Sequence, residues 1–349
     1  MGGLGQRMGM MLLAGDIGGT KTTLGLFPLR GNPKKSRVEA TFPCAKYPDL
    51  EAMVREFLAQ NRASVGYACF GVAGPVVEGR ARMTNLPWVI EEKALAASLL
   101  ISSAHLVNDL EAIATSVPFL VRSDLATLNR GRSDPTGPVA IIAPGTGLGE
   151  AFITRDGPRY HVHPSEGGHA DFAPTNEPQI ELLNYLLKHS DHVSYEDVCS
   201  GIGIRNIHRF FEETSLPEPP SLHAKELEAE DPVPIIADGA LNKNRRCNTC
   251  RTTLNTFASI LGAEAGNLAL KVLATGGVYL AGGIPRKTLP LLKNGTFMKS
   301  FTKKGRMSQL VSRMPVHVIL NPRAALLGAA RSGFECIRLN PKLSGELGA

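Results

Sequence analysis

Three apolar strands in this chain each run into a glycine-rich turn, and that recurrence narrows the possible folds more than any other feature. Met10-Met11-Leu12-Leu13-Ala14-Gly15-Asp16 reads as a buried strand, Ile17-Gly18-Gly19-Thr20-Lys21 as a turn, and Thr22-Thr23-Leu24-Gly25-Leu26-Phe27 as the returning strand. The two glycines at the tip are free to take positive φ. The pattern returns at residues 139–154, where Val139-Ala140-Ile141-Ile142-Ala143 leads into Pro144-Gly145-Thr146-Gly147-Leu148-Gly149-Glu150 and then Ala151-Phe152-Ile153-Thr154. The first unit is not a P-loop, because GxxxxGK[ST] is absent and no helix follows. The second has GxGxG spacing and continues as a strand, which excludes a dinucleotide-binding Rossmann turn. Either unit alone is compatible with a plain turn. The repeat, weak in letters and clear in pattern, predicts two related halves that face each other, each offering a phosphate-binding hairpin. Asp16, directly before Gly-Gly-Thr, sets a carboxylate beside a nest of backbone N–H groups, which suits phosphate with Mg²⁺. The third turn, Gly282-Gly283-Ile284-Pro285 after the strand at 277–281, allows the close backbone approach that a flat base or ribose needs.

Three further stretches carry polar chemistry. In Ala104-His105-Leu106-Val107-Asn108-Asp109-Leu110 a short strand meets a helix at Asn108-Asp109. Asp109 reads either as the helix N-cap or as a carboxylate at a strand's C-terminal end, where it can take a proton from a substrate hydroxyl. Pro164-Ser165-Glu166-Gly167-Gly168-His169-Ala170-Asp171-Phe172-Ala173-Pro174 gathers too many hydrogen-bonding groups in apolar surroundings to be a bland loop. Ser194 can cap a following helix, with Glu196 near its first turn; there Glu196 either complements the helix dipole or serves a site. His161 and His163 alternate on a strand, and without a third ligand they read as structural. Helical periodicity marks 49–60, 91–100, 109–120, 179–187, 252–273 and 322–337, and the small residues of 252–273 imply close packing.

Composition sets the bounds. A chain of 349 residues is long enough for two domains. The net charge of +6 favours anionic partners, and nucleotide phosphates are an adequate explanation. Basic residues are scattered, with no long block and no interleaved aromatics, so no nucleic-acid partner is expected. Six thinly spread cysteines argue for free thiols in a reducing compartment. Cys247 and Cys250 form a lone CxxC without a second pair, which reads as a solvent-facing or core pair rather than zinc. The apolar run at 8–14 is too short to span a membrane. These features predict a cytoplasmic protein with no membrane partner.

Taken in order, Asp16-Ile17-Gly18-Gly19-Thr20-Lys21, Asn108-Asp109, Gly145-Thr146-Gly147-Leu148-Gly149, Glu166-Gly167-Gly168-His169, Glu196 with Ser200-Gly201, and Leu280-Ala281-Gly282-Gly283-Ile284 resemble the bacterial glucokinase family. The resemblance spans roughly residues 10–335. The glycine turns are shared across the hexokinase/actin/Hsp70-like ATPase superfamily; the run at 166–173 and the Asn108-Asp109 context resemble glucokinases in particular. Lys21 stands where many members carry Asn, as in the ROK sugar-kinase group. That group's cysteine-rich zinc motif is absent after His169, so ROK membership is rejected.

The resemblance implies an α/β, two-domain ribonuclease H-like (actin/hexokinase ATPase) fold with a central cleft. A small domain would comprise 1–120 plus 320–349 and a large one 121–319. Asp109 would be the general base for the 6-hydroxyl of D-glucose, with Asn108, Glu166, His169 and Glu196 bonding other sugar hydroxyls. Gly18, Gly19, Thr20 and Lys21, with Gly145, Thr146 and Gly147, would cradle the phosphates of ATP. Asp16 would lie near Mg²⁺, through water, and Gly282 and Gly283 would contact the adenosine. A homodimer is implied. The rivals are a kinase for another hexose or phosphate donor, and a non-catalytic sugar-binding regulator; the regulator is disfavoured because few residues precede the first strand.

Overall fold

A computed structural model describes residues 10–30, 34–83, 86–214, 231–242 and 247–339. It divides into two units, Met1–Leu120 with Asn321–Ala349, and Val121–Leu320. The proline- and glutamate-rich stretch at 215–230 lies outside the described residues, as do Thr84 and Asn85.

The first unit holds eight described strands: β1 (Met11–Ile17), β2 (Lys21–Pro28), β3 (Val38–Pro43), β4 (Val65–Val72), β5 (Val76–Val77), β6 (Arg80–Arg82), β7 (Val89–Glu91) and β8 (Ser103–Asn108). The main sheet runs β3-β2-β1-β4-β8, and β5, β6 and β7 form a small separate one. β2 and β3 are antiparallel additions, whereas β4 and β8 run parallel to β1. β1 is central, so both of its faces are covered, and its sequence is nearly unbroken apolar. Alternate side chains part into two cores. Met11, Leu13 and Ile17 pack with Met53, Val54 and Phe57 of the helix Leu50–Asn61, which Asp49 caps by accepting from Ala52 N at 2.7 Å. Leu12 and Ala14 pack with Leu326, Ala329 and Ala330 of the helix Ala324–Leu339. That helix crosses the helix Asp109–Ser116 at backbone distance, since a Cβ on Gly328 would overlap Ala112 O. It begins two residues later than its proline suggests. Asn321 Oδ1 accepts from Arg323 N at 2.9 Å, so Pro322 and Arg323 form a turn ahead of the helix.

The second unit holds β9 (Leu125–Asn129), β10 (Val139–Pro144), β11 (Leu148–Asp156), β12 (Arg159–Ser165), β13 (Gly277–Leu280) and β14 (Val316–Ile319), in the order β12-β11-β10-β13-β14-β9. Its first five strands repeat the first unit's sheet, two antiparallel strands, a central one and two parallel ones; β9 adds an antiparallel edge. The hairpin repeat in the sequence is therefore the visible part of a five-strand repeat. Ala140 and Ile142 of β10 face a core built with the helices Gly201–Thr214 and Asn248–Val272. The longer helix admits neighbours closely, as its small residues imply: Cβ atoms on Gly262 or Gly266 would crowd the carbonyls of Phe297 and Phe301.

Cys247 is that helix's N-cap, accepting from Cys250 N at 3.0 Å, and both are buried. None of the six cysteines forms a disulfide, and the described residues hold no cluster of three metal-ligating side chains. His163 bonds Thr154 Oγ1 at 2.8 Å and stacks on Phe152, a structural role. No helix among the described residues is long and apolar enough to cross a membrane.

Candidate active site

In the first unit the parallel strands β1, β4 and β8 end together, with Asp16 paired to Gly71 and Gly71 to Val107. Asp109 follows immediately as the first residue of its helix. The N-cap is Asn108, not Asp109: Asn108 Oδ1 accepts from Leu110 N at 2.9 Å and Glu111 N at 3.3 Å, and its Nδ2 donates to Gly74 O at 3.0 Å. Asn108 is thus largely occupied in holding the junction. Asp109 Oδ1 also accepts from Leu110 N, at 2.9 Å. Burial pushes the Asp109 carboxyl above the usual range, opposed by that bond. Asp16 is pushed up to about 6, by burial first and by the charge of Asp109 second. These two carboxyls therefore feel each other. A Cβ at Gly71 would come within 3.1 Å of Ala112 Cβ and 3.8 Å of Asp109 Cα, so glycine there lets the helix settle on the strand ends.

Neither Gly18 nor Gly19 uses the left-handed region that is open to glycine. Gly18 serves close approach instead: its N–H donates to Lys21 O at 3.0 Å, and a Cβ would lie 2.9 Å from that oxygen. The N–H groups of Gly19 and Thr20 make no bond to an acceptor among the described residues. A cavity of about 280 Å³ beside Asp16 is lined by Thr23, Glu39, Thr41, Pro322, Arg323 and Leu326. Arg323 there bonds Glu39. Neither residue was singled out in the sequence, because the Arg323–Glu39 pair is 284 residues apart and has no motif.

In the second unit the turn at 145–147 closes by Gly145 N donating to Gly147 O at 2.8 Å, leaving the amides of Thr146 and Gly147 without an acceptor among the described residues. A Cβ on Gly145 would meet only Gly147 O, at 4.0 Å, and one on Gly283 nothing within 4 Å, so both stand open. Gly282, at φ +89°, lies two residues beyond β13 and is the N-cap of a short helix, Gly283–Lys287.

The expected helix after Ser194 does not form. Ser194 and Asp197 bond each other reciprocally, Ser194 N and Oγ to Asp197 Oδ2 at 2.8 and 2.7 Å, but this closes a single turn, and the helix begins at Gly201. Glu196 therefore sits in a turn. Its Oε2 accepts from Leu148 N at 2.7 Å, directly against Gly147, where a Cβ would overlap it. Glu166 precedes a single turn, Gly167–His169. A Cβ at Gly168 would overlap Leu148 O, and one at Gly167 would overlap Glu150 Oε2. The paired glycines thus press this loop onto β11. Glu196 N donates to Gly168 O at 2.8 Å, and Tyr195 N to Ala170 O at 2.9 Å, which joins the two stretches. Glu166 and His169 keep exposed side chains 3.9 Å apart. The second unit thereby brings Glu166, His169 and Glu196 onto the backbone around Leu148.

The structure thus combines a duplicated sheet whose hairpin turns offer open amides, half-buried carboxyls at the strand ends of one unit and a polar loop cluster in the other. The structure matches a glucokinase from an Antarctic psychrotroph with a TM-score of 0.80, at 30% identity, covering 93% of this chain and 99% of that one. It matches the Balamuthia mandrillaris glucokinase, solved in complex with glucose, with a TM-score of 0.77 at 20% identity, over 95% of each chain. In sequence, the Trichormus variabilis glucokinase is 43% identical over 336 residues, 92% of this chain and 98% of that protein. The Glucokinase family model matches residues 13–334, and the chain belongs to the glucokinase family.

Proposed function

We propose that the protein transfers the γ-phosphoryl group of ATP to O6 of D-glucose, with Asp109 as general base. The observation that carries this assignment is the half-buried Asp109 carboxyl just beyond the end of β8, whose proton affinity is raised by partial burial. A base held nearer the working pH accepts a hydroxyl proton more readily than an ordinary aspartate. Asn108 supports the reading by capping the helix, which spares Asp109 that task.

Glu166, His169 and Glu196 would bond the remaining hydroxyls. Exposed polar side chains on a loop anchored by buried glycines combine freedom to engage a sugar with a fixed base. The open amides of Gly19 and Thr20, and of Thr146 and Gly147, would receive phosphate oxygens, with Lys21 adding positive charge and Gly282 and Gly283 admitting the adenosine. Two half-buried carboxyls, with the charge of Asp109 raising the proton affinity of Asp16, suit a hard divalent cation, so Asp16 would hold Mg²⁺, through water. Bound there, the cation would neutralise charge on the phosphates. Six cysteines without a disulfide suit a reducing cytoplasm. The protein would act there as a homodimer, without nucleic-acid or membrane partners, and sedimentation equilibrium tests that stoichiometry.

The deciding experiment is a coupled assay for glucose 6-phosphate with ATP, Mg²⁺ and glucose, run beside mannose, fructose and N-acetylmannosamine. Removing general-base help costs on the order of 10²–10⁴ in rate, so Asp109→Ala should lose turnover on that scale. Near-full turnover in Asp109→Ala would reject its role.

A further inference from the structure

We propose that Glu150 is a positioning residue for glucose binding: it shares one proton with Glu264, and loss of that proton loosens the Glu166–His169 turn above it. The inference rests on the reading of Glu166, His169 and Glu196 as sugar ligands.

Glu150 lies on β11, two residues beyond Leu148, and is 1% exposed. Its Oε1 accepts from no donor among the described residues, and its Oε2 sits beneath Gly167, where a Cβ would overlap it. Opposite is Glu264, fully buried inside the helix Asn248–Val272. Glu264 accepts from Asn267 Nδ2 at 2.9 Å and from Lys271 Nζ at 3.5 Å, and Asn267 Nδ2 also donates to the Tyr195 hydroxyl at 3.0 Å. The two carboxyls are themselves within hydrogen-bonding reach. Two carboxylates cannot bond one another, so one of them holds a proton. Glu264 has two donors, Asn267 and Lys271, and Glu150 has none among the described residues; Glu150 therefore carries the proton and donates it to Glu264.

The other ionisable groups around the pair come from each element packed on it. Lys271 shares the helix of Glu264. Tyr195 and Cys199 come from the turn before Gly201, and burial raises both. Lys304 bonds Ala263 O at 2.7 Å and Asn267 Oδ1 at 2.5 Å, and burial lowers its ammonium. The Glu166 and His169 side chains on the loop are exposed to solvent. Burial first, and the charge of Glu264 second, push Glu150 up to about 7, with Lys271 opposing. The proton therefore leaves within the working range of pH.

Its departure puts two anions together in a closed space. The wall that yields is the one held only by glycines and backbone bonds, the turn at 166–169. Gly167 touches Glu150 directly, Gly168 carries the bond from Glu196 N, and Tyr195 is tied to Glu264 through Asn267. Proton loss thus reaches all three sugar-binding side chains while leaving the first unit untouched.

The test is the pH profile of KM for glucose between pH 6 and pH 8, in the wild type and in Glu150→Gln, which keeps a donor and cannot ionise. If only the protonated form binds sugar, KM rises about tenfold over this range for a group near pH 7. A rise of about threefold or more is expected in the wild type, with Glu150→Gln flat at the low-pH value and KM for ATP flat in both. A flat wild type, or a rise that persists in Glu150→Gln, overturns the proposal. Should Glu150→Gln not fold, Glu264→Gln removes the neighbouring anion and should move the midpoint about one pH unit or more towards acid; an unmoved midpoint overturns the proposal equally. Glu166→Ala at pH 6 separates the two readings. Unchanged KM for glucose there rejects the sugar-loop assignment, while titration of ¹³C-carboxyl glutamate signals, compared with Glu150→Gln, still reports the shared proton.

Discussion

Replacing Gly147 by alanine would drive a methyl group into Glu196 Oε2. The carboxylate would have to withdraw by roughly an ångström to reach van der Waals distance. That movement gives up its bond from Leu148 N, 2.7 Å long. A hydrogen bond to a charged group contributes about 1.5–3 kcal/mol. Each 1.4 kcal/mol is a factor of ten. If the bond organises Glu196 for sugar, Gly147→Ala and Glu196→Ala should each raise KM for glucose by about 10- to 150-fold. The double variant should cost little more than Glu196→Ala alone, because contacting residues are strongly non-additive. Steady-state KM values for glucose and for ATP in the four proteins of this cycle decide the matter. If Gly147→Ala instead raises KM for ATP, equally with or without Glu196, the glycine serves phosphate approach alone and the reasoning fails.

Glu166→Ala should raise KM for glucose far more than KM for ATP, in the same coupled assay; equal effects would remove it from the sugar site. Asp16 takes up a proton as pH falls through about 6, so kcat/KM should fall below that pH, and a pH–rate profile whose acid limb shows no group near 6 would contradict its role. For stability the sign is opposite. A folded-state carboxyl raised from 3.8 to about 6 favours the folded form at acid pH, and that contribution disappears as pH rises through about 6. Without Mg²⁺, Asp16→Asn should therefore lose part of the decline in Tm between pH 4 and pH 7, as read by calorimetry. Gly328→Ala should destabilise the protein by about 1–3 kcal/mol, because overpacking at a backbone crossing forces the helices apart; an unchanged denaturation midpoint would show that the helix Ala324–Leu339 yields freely.

The hairpins at 10–27 and 139–154 were legible because a buried strand, a glycine turn and a returning strand are all local. Their pattern carried the duplicated architecture, and the local switch from strand to helix at 104–110 carried the position of Asp109 at a junction. Local chemistry was less decisive where two neighbours compete for one task. Asn108, whose side chain reaches both Leu110 N and Glu111 N, took the cap that Asp109 was equally suited to by residue type. Likewise Ser194 and Asp197 formed their reciprocal bonds, but the chain turned to let Glu196 grip Leu148, a partner 48 residues away. The glycines at 18, 147, 167 and 168 were recognisable as turn residues, while the reason for them was not: each makes room for a carbonyl or carboxylate.

By itself, the sequence determined which segments become strands, where the turns fall and which polar side chains stand at their ends, because periodicity and turn chemistry act over a few residues. Only the tertiary structure decided how those side chains are used. The pairing of Glu150 with Glu264 joins residues from a strand and a long helix, and the raised proton affinities of Asp16 and Asp109 depend on burial by distant segments. Burial and charge coupling are properties of what comes close in space, and no spacing along the chain encodes them.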